Sequence, residues 1–216
     1  MIGNLVIFGD SYSTFKGCRP NPEAFYYFPE QAKPEEAVRS MRQEETWWQR
    51  LLDNTDANLL RNDSWSGSTI CYTGYLGDCS TSSSFIYRYR CLRDSGFFNE
   101  NKVDTLLVFG GTNDSWCPAE LGEKKISDHT EADLYFVLPA ISHLMSVMKS
   151  ELCDTRVVFV ANCDIDTEII GWMKSEGERL GVEVIELHDV DKQLDHPTVL
   201  GMQQIYDQVF TFLNNN

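Results

Sequence analysis

The chain has 216 residues, of which 42% are hydrophobic and 12% aromatic, a composition typical of a folded protein rather than a disordered one. Its 18 Lys and Arg residues against 33 Asp and Glu residues give a formal net charge of −15. Nucleic acids and anionic membranes both bind clustered positive charge, so neither is expected as a partner. A small, neutral or cationic molecule remains as the expected ligand, and composition leaves the oligomeric state open.

The N-terminal residues lack the basic segment and apolar core of a secretory signal, and no run reaches the ~18 apolar residues of a membrane span. This predicts a cytoplasmic chain, or one whose signal was removed before residue 1. The seven cysteines are irregularly spaced and include no CxxC pair. They are therefore expected to be reduced thiols, and the sequence predicts no metal site and no cofactor.

Five short apolar runs of strand length predict a parallel sheet that is buried on both faces. They cover residues 5–8, 58–61, 105–109, 157–160 and 182–187. Amphipathic helix patterns lie between them, at residues 44–52, 131–148, 167–180 and 198–213. Alternating strands and helices are typical of an α/β sandwich. The length predicts one domain over residues 1–216.

Three long connections interrupt this alternation, at about residues 16–43, 68–101 and 115–130. The second contains a helix-like stretch that runs through Arg93. Loops of this length are usually functional or mobile. The first and third loops directly follow the polar motifs described next, so we expect them to form walls of a substrate cleft.

The tripeptide Gly9-Asp10-Ser11 follows the first predicted strand. Ligands of open parallel sheets bind beyond the carboxyl ends of the strands, so a serine here is expected to be exposed and close to free backbone N–H groups. A simpler interpretation remains open, because Ser and Asp are also the preferred caps of a helix that follows a strand.

Three further motifs are expected near the same edge. Gly67 follows the second strand, and a glycine there can present an unobstructed backbone N–H. Asn113 follows the third strand and carries a neutral side-chain donor. His196 precedes Pro197, which is a favourable residue at the start of the last helix. Each motif alone is equally typical of an ordinary turn.

Taken in this order, the motifs resemble the SGNH/GDSL family of esterases and acyl hydrolases over nearly the whole chain. The resemblance implies a flavodoxin-like three-layer α/β/α sandwich with a five-stranded parallel sheet. It also implies a serine hydrolase that forms an acyl-enzyme and needs no cofactor. Ser11 would be the nucleophile and His196 the general base. The oxyanion hole would consist of Ser11 N–H, Gly67 N–H and the Asn113 side chain.

One position departs from the family pattern. The family has an acid three residues before the histidine, where this chain has Gln193. Asp191 is the favoured substitute, Asp195 is the alternative, and Asp189 is more distant. A Ser–His dyad whose ring is oriented by a backbone carbonyl also remains open, as does a ligand-binding pseudoenzyme of the same fold.

Candidate substrate-binding residues are those next to the motifs. Asp10 and Tyr12 flank the nucleophile, and Trp65 and Trp116 lie within three residues of an expected oxyanion residue. Aromatic side chains at such positions either pack the cleft or form a platform for a sugar or acyl group. Because no long apolar stretch flanks the site, a small ester with a short acyl group, such as acetyl on a carbohydrate, is the favoured substrate.

Overall fold

The computed structural model describes residues 1–18, 23–29 and 34–215, with only the backbone described at residues 34–36. The predicted loop 16–43 therefore lies partly outside the described residues. Within the described part, that loop contains the 3-10 segment Pro34–Arg39.

A five-stranded, all-parallel sheet forms the centre of the described chain. Its strands are β1 (Asn4–Gly9), β2 (Asn58–Ser64), β3 (Thr105–Phe109), β4 (Arg156–Ala161) and β5 (Glu183–Glu186). The order in the sheet is β2-β1-β3-β4-β5. The predicted strands, parallel pairing and three-layer flavodoxin-like architecture are confirmed.

Helices cover both faces of the sheet, which explains why its strands are apolar without alternation. The helices are α1 (Trp47–Asp53), α2 (Phe85–Asp94), α3 (Phe97–Glu100), α4 (Thr112–Trp116), α5 (Val137–Glu151), α6 (Thr167–Leu180) and α7 (Val199–Asn215). Leu5 and Ile7 of β1 pack with α1 and α7, whereas Val6 and Phe8 pack with α2, α5 and α6.

Several predicted boundaries differ from the structure, and two of these differences have a clear physical cause. Helix α5 begins at Val137 and not at Glu131. Pro139 is tolerated only in the first turn of a helix, because deeper inside it removes a hydrogen bond and clashes with the preceding turn. Strand β2 runs on to Ser64, past the predicted end at residue 61. Its last residues are polar but buried, since tertiary hydrogen bonds satisfy them.

The loop predicted at 68–101 contains helices α2 and α3 and a small antiparallel hairpin that pairs Thr73–Gly74 with Gly77–Asp78. We call residues 73–78 the Tyr75 hairpin. A second hairpin pairs Lys192–Gln193 with His196–Pro197, and we call residues 192–197 the His196 hairpin.

The sheet order changes direction at β1, which lies between β2 and β3. In open α/β sheets this switch point leaves a crevice beyond the carboxyl ends of the strands. The loops that follow β1, β2 and β3 begin at this edge, and they carry Ser11, Gly67 and Asn113. Among the described residues, no helix combines the length and apolar character needed to cross a membrane.

Candidate active site

Ser11 begins a single 3-10 turn, Ser11–Ser13, directly after β1. Asp10 caps this turn, because its Oδ1 accepts a 3.0 Å hydrogen bond from Tyr12 N–H. Gly9 is required before it, since a Cβ at Gly9 would lie 2.6 Å from both Ser13 Cβ and Ser64 Oγ. The loop that carries Ser11 is thereby packed tightly against the end of β2.

His196 reaches Ser11 from the opposite side of the crevice. Its Nε2 lies 3.1 Å from Ser11 Oγ, and its Nδ1 lies 3.0 Å from the Leu194 carbonyl oxygen. A carbonyl oxygen can only accept a hydrogen bond, so Nδ1 carries the proton. The lone pair of Nε2 is then free to accept the Ser11 hydroxyl proton, as a general base requires.

The turn of the His196 hairpin brings this carbonyl to the ring. Leu194 has φ 48° and Asp195 has φ 60°, so two consecutive non-glycine residues adopt the left-handed conformation. Two such residues form the two-residue turn that matches hairpin twist, although Asn and Gly are the usual occupants. Leu194 bears backbone strain in this turn, and such strain is typical of functional sites.

Aromatic rings enclose the imidazole of His196. The Tyr26 ring stacks on it with a centroid distance of 3.6 Å and an interplanar angle of 4°. Tyr12 and Trp116 contact it at tilted or edge geometries, with centroids 5.6 Å and 6.3 Å away. The guanidinium of Arg39 lies 5.0 Å from the centroid of the Tyr26 ring. These contacts restrict rotation of the imidazole.

Burial lowers the pKa of His196 from its ordinary value, because it disfavours the charged imidazolium. The positive charges of Arg39 and Lys192 lower the pKa further. The Leu194 carbonyl and the negative charge of Asp195 oppose this shift. The ring therefore stays neutral, and able to accept a proton, below the ordinary titration range of histidine.

Gly67 and Asn113 are the residues predicted to join Ser11 in an oxyanion hole. Gly67 has φ 78° in a turn closed by a 3.2 Å hydrogen bond from Ser68 N–H to the Trp65 carbonyl. Its N–H has no acceptor among the described residues. Asn113 is 4% exposed, and its Nδ2 donates one hydrogen to the Ser68 carbonyl at 2.9 Å. One Asn113 N–H remains available to a substrate oxygen.

A buried guanidinium holds these loops together. Arg88 of α2 forms an ion pair with Asp63 at 2.9 Å. It also donates to the Gly9 carbonyl at 3.1 Å and to Ser68 Oγ at 2.9 Å. Arg88 thus connects the ends of β1 and β2 with the loop that carries Gly67. No local motif around Arg88 indicated this role, and its sole sequence signal is a charge within an otherwise apolar helix face.

Asp114, next to Asn113, also connects two loops through hydrogen bonds. Its carboxylate accepts hydrogen bonds from the backbone N–H groups of Ile70, at 2.8 Å, and Cys71, at 3.0 Å. The short helix α4 is thereby tied to the loop after β2. The two motifs that seemed separate in the sequence form one hydrogen-bonded unit.

The carboxylates considered as the third member of a triad lie elsewhere. Asp191 is exposed, and its Oδ2 accepts the hydroxyl of Thr198, the residue before α7. Asp189 pairs with the exposed His188. Among the described residues, His196 Nδ1 bonds to the Leu194 carbonyl and to no carboxylate. The prediction of Asp191 as orienting acid does not fit this geometry.

Asp195 does not hydrogen-bond to the ring either. Its backbone carbonyl accepts the Tyr12 hydroxyl at 2.5 Å, and its carboxylate acts on His196 through charge alone. A side chain adjacent to the histidine in the hairpin is directed away from it. The geometry at Nδ1 matches the dyad alternative, in which a backbone carbonyl orients the base.

Two of the four candidate substrate residues are fully buried. Asp10 and Tyr12 are both 0% exposed, so neither presents surface to a substrate in this structure, contrary to the expectation that they contact it. Asp10 is a turn cap, and burial raises its pKa to about 7. Trp65 and Trp116 are half-buried and border the crevice. Trp65 also lines a cavity of about 280 Å³ beside Gly67.

Sequence reasoning missed three contributors besides Arg88. The Leu194 carbonyl had no signal beyond its place before the histidine. Tyr26 belongs to the aromatic run FYYF in the first long loop, and this run was the available clue. Tyr75 donates a 3.1 Å hydrogen bond to Asn113 Oδ1, although 37 residues separate them in the chain.

Residues 3–213 match the family model described as GDSL-like lipase/acylhydrolase. A solved structure described as a GDSL-like lipase from Bacteroides ovatus is 31% identical, with a TM-score of 0.87 and coverage of 99% of this chain and 98% of that one. A second GDSL-like lipase, from Bacteroides uniformis, is 36% identical, with a TM-score of 0.85 and coverage of 99% and 96%.

A more distant fold neighbour is a family two carbohydrate esterase from Clostridium thermocellum, solved in complex with cellohexaose. It is 16% identical, with a TM-score of 0.63 and coverage of 98% of this chain and 63% of that one. A search of curated proteins gave no match. The chain therefore belongs to the GDSL-like lipase/acylhydrolase family and is a hydrolytic, ester-cleaving enzyme.

Proposed function

We propose that the protein is a serine esterase that uses a Ser11–His196 dyad and acts on small esters with a short acyl group. The observation that carries the proposal is the Ser11 Oγ–His196 Nε2 contact of 3.1 Å, made by a ring whose Nδ1 proton is held by the Leu194 carbonyl. This arrangement sets the tautomer that a general base needs, without a carboxylate.

The reaction follows from these atoms. His196 Nε2 accepts the Ser11 hydroxyl proton as Oγ attacks the acyl carbon. The developing oxyanion accepts hydrogen bonds from Ser11 N–H, Gly67 N–H and the remaining Asn113 N–H. The tetrahedral intermediate then collapses, and the bond between the acyl carbon and the leaving alcohol breaks as the alcohol takes the proton from Nε2. Water, deprotonated by the same nitrogen, then releases the acid and restores Ser11.

Without a carboxylate, the imidazolium that forms is stabilised by weaker interactions. The Leu194 carbonyl dipole accepts its Nδ1 proton, and the negative charge of Asp195 favours the protonated ring. The stacked Tyr26 ring presents its π face to the same cation. Each contribution is smaller than a buried ion pair, and together they replace the missing acid.

The surface next to the proposed oxyanion glycine supports a small substrate. The cavity beside Gly67 is lined by Trp65 and Tyr75 but not by Ser11 or His196, and its volume of about 280 Å³ is just below the usual range for ligand pockets. The half-buried Trp65 and Trp116 offer flat apolar surfaces on which a sugar ring can stack. Acetyl esters of carbohydrates fit both features, and the carbohydrate esterase among the fold neighbours agrees with this class.

The test is hydrolysis of p-nitrophenyl acetate by the wild type and by Ser11→Ala, with phosphonate labelling of the serine. We expect turnover by the wild type, labelling at Ser11, and loss of activity of at least about 10³-fold in the variant. An inactive, unlabelled wild type would contradict the esterase proposal and favour the pseudoenzyme alternative. Acetylated xylose compared with long-chain acyl esters then tests the substrate class.

The same assay distinguishes a dyad from a triad. Because no carboxylate in the described part of the chain bonds to His196 Nδ1, Asp191→Asn is expected to retain activity within about twofold, whereas loss of a triad acid costs about 10⁴-fold. The matched control is Asp189→Asn, on the exposed surface. A large loss for Asp191→Asn alone would restore the triad prediction.

A further inference from the structure

The amide of Asn113 has a partner at each end. Its Nδ2 donates to the Ser68 carbonyl at 2.9 Å, and its Oδ1 accepts from the Tyr75 hydroxyl at 3.1 Å. The Ser68 contact identifies the nitrogen end of the amide. The Tyr75 contact holds the opposite end, so the plane of the amide, and with it the direction of the second N–H, is determined by two points.

The direction of the Tyr75 hydrogen bond follows from the chemistry of both groups. An amide oxygen has no proton, so the tyrosine hydroxyl must donate. Partial burial raises the pKa of Tyr75 to about 12, and the buried Asp10 and Asp114 act in the same direction. The phenol therefore keeps its proton across the range in which an esterase works.

Tyr75 reaches Asn113 from an exposed hairpin. The residue is 48% exposed, and its neighbour Leu76 is fully exposed at the tip. The Tyr75 ring also lies beside Gly67, because its Cδ2 is 4.0 Å from the position that a Cβ of Gly67 would occupy. One side chain thus lies next to the glycine and hydrogen-bonds to the asparagine of the proposed oxyanion hole.

The base of this hairpin is anchored. Cys79 N–H donates to the Tyr72 carbonyl at 2.8 Å, and Thr73 Oγ1 donates to the Tyr135 carbonyl at 2.8 Å. These hydrogen bonds at the strand ends of the hairpin hold the Tyr75 hydroxyl at a defined position, although about half of the side chain is exposed. Tyr75 is thus half-exposed, yet its hydroxyl makes one specific, partly buried hydrogen bond to Asn113.

We propose that Tyr75 is a positioning residue of the oxyanion hole, whose hydroxyl orients the Asn113 amide and strengthens its free N–H as a donor. A hydrogen bond accepted by an amide oxygen polarises the amide and makes its N–H groups better donors. This inference rests on the proposed esterase function, since it assigns Asn113 to the oxyanion. Tyr75 itself touches no reacting atom.

The primary test is Tyr75→Phe, which removes the hydroxyl and keeps the ring that lines the cavity beside Gly67. With p-nitrophenyl acetate, we expect kcat to fall about tenfold at unchanged KM, less than the 10²–10³-fold loss that follows removal of a whole oxyanion donor. The control is Tyr72→Phe. That hydroxyl contacts Glu131 and Arg90, away from Asn113, and the variant is expected to keep the wild-type kcat.

A double-mutant cycle with Asn113→Ala separates positioning from a general structural effect. If Tyr75 acts through Asn113, Tyr75→Phe causes less than about a twofold further loss in the Asn113→Ala background. Equal losses in both backgrounds, or an unchanged kcat for Tyr75→Phe alone, would overturn the inference. Melting curves for all variants identify any loss caused by unfolding.

The outcomes also separate this inference from the function on which it rests. If the wild type is active, Ser11→Ala is inactive and Tyr75→Phe is unchanged, the esterase proposal stands and the role of Tyr75 is rejected. If the wild type hydrolyses no ester, both are rejected.

Discussion

The two sides of the crevice are built by different means. On the oxyanion side, Ser11, Gly67 and Asn113 follow three adjacent strands, and buried charged groups hold their loops together. On the base side, His196 lies on a two-residue hairpin held by aromatic contacts and backbone hydrogen bonds. The first side is an extension of the sheet, whereas the second is attached to it by loop contacts.

The difference follows from what each side must do. Oxyanion donors act through fixed geometry, so they benefit from a rigid, fully bonded setting. The base must gain and lose a proton, and a carboxylate bonded to Nδ1 would raise its pKa. A carbonyl, a stacked ring and a distant carboxylate orient the imidazole of His196 while leaving its pKa low.

The largest effect is expected from breaking the oxyanion side at Arg88. In Arg88→Met the buried Asp63 loses one partner and keeps Arg61, whose Nε lies 2.7 Å from Asp63 Oδ2. Removing one member of a buried pair costs about 3–5 kcal/mol, and we expect the lower end of that range. Urea unfolding measures the change, and kcat is expected to fall as the loops lose their common anchor.

Arg93→Met is the matched control for Arg88→Met. Arg93 lies on the same helix but pairs with Asp94 and Glu151 at the surface. Surface ion pairs contribute about 0–1 kcal/mol, so the control is expected to change stability little. Equal losses in the two variants would show that the buried arginine does not stabilise the oxyanion side as proposed.

A smaller effect is expected on the base side. Tyr26→Ala removes the ring stacked on His196, a contact worth about 1 kcal/mol, and so is expected to lower kcat/KM about fivefold. Tyr26→Phe keeps the stack and is expected to retain wild-type activity. Equal losses in both variants would assign the effect to the hydroxyl and contradict orientation by stacking.

The smallest effects are expected in the pH dependence of kcat/KM. Because the neutral His196 ring is the proposed base and burial lowers its pKa, kcat/KM is expected to stay high below the ordinary histidine value and to fall only when pH drops through the lowered pKa. Asp195→Asn removes a charge that raises this pKa, so the acid limb should move to lower pH. Lys192→Met should move it to higher pH.

Asp10 is a second titratable group near the site, and burial raises its pKa to about 7, close to the ordinary value of histidine. Asp10→Asn therefore serves as the control for the pH profile. If the acid limb disappears in Asp10→Asn but is unaffected by Asp195→Asn and Lys192→Met, the limb belongs to the turn cap and not to His196.

Much of the fold could be read from local patterns. Both faces of the sheet are covered, so its strands had to be apolar throughout, and runs such as 105–109 were recognised with their exact bounds. The boundary errors have physical causes. Helix α5 begins only at Val137 because Pro139 must lie in its first turn. The end of β2 is polar, as in a loop, but it is buried because tertiary hydrogen bonds satisfy it.

The site could be predicted only in part. Ser11, Gly67, Asn113 and His196 were candidates because each follows a strand or precedes a helix, and their order resembles that of the SGNH/GDSL family; topology brings those ends together. Arg88 could not be found this way, because its partners at the site, Asp63, Gly9 and Ser68, lie 20 to 79 residues away and no spacing rule relates them.

By itself the sequence determined the layers, the strand ends and the residue types available for ester hydrolysis, because hydrophobic periodicity and turn chemistry are local properties. Tertiary structure alone decided what orients the base. Every residue type has a backbone carbonyl, so the role of the Leu194 carbonyl cannot be recognised from the sequence. The stacking of Tyr26 on His196 joins residues 170 positions apart. Such contacts depend on how distant loops pack, which local patterns do not encode.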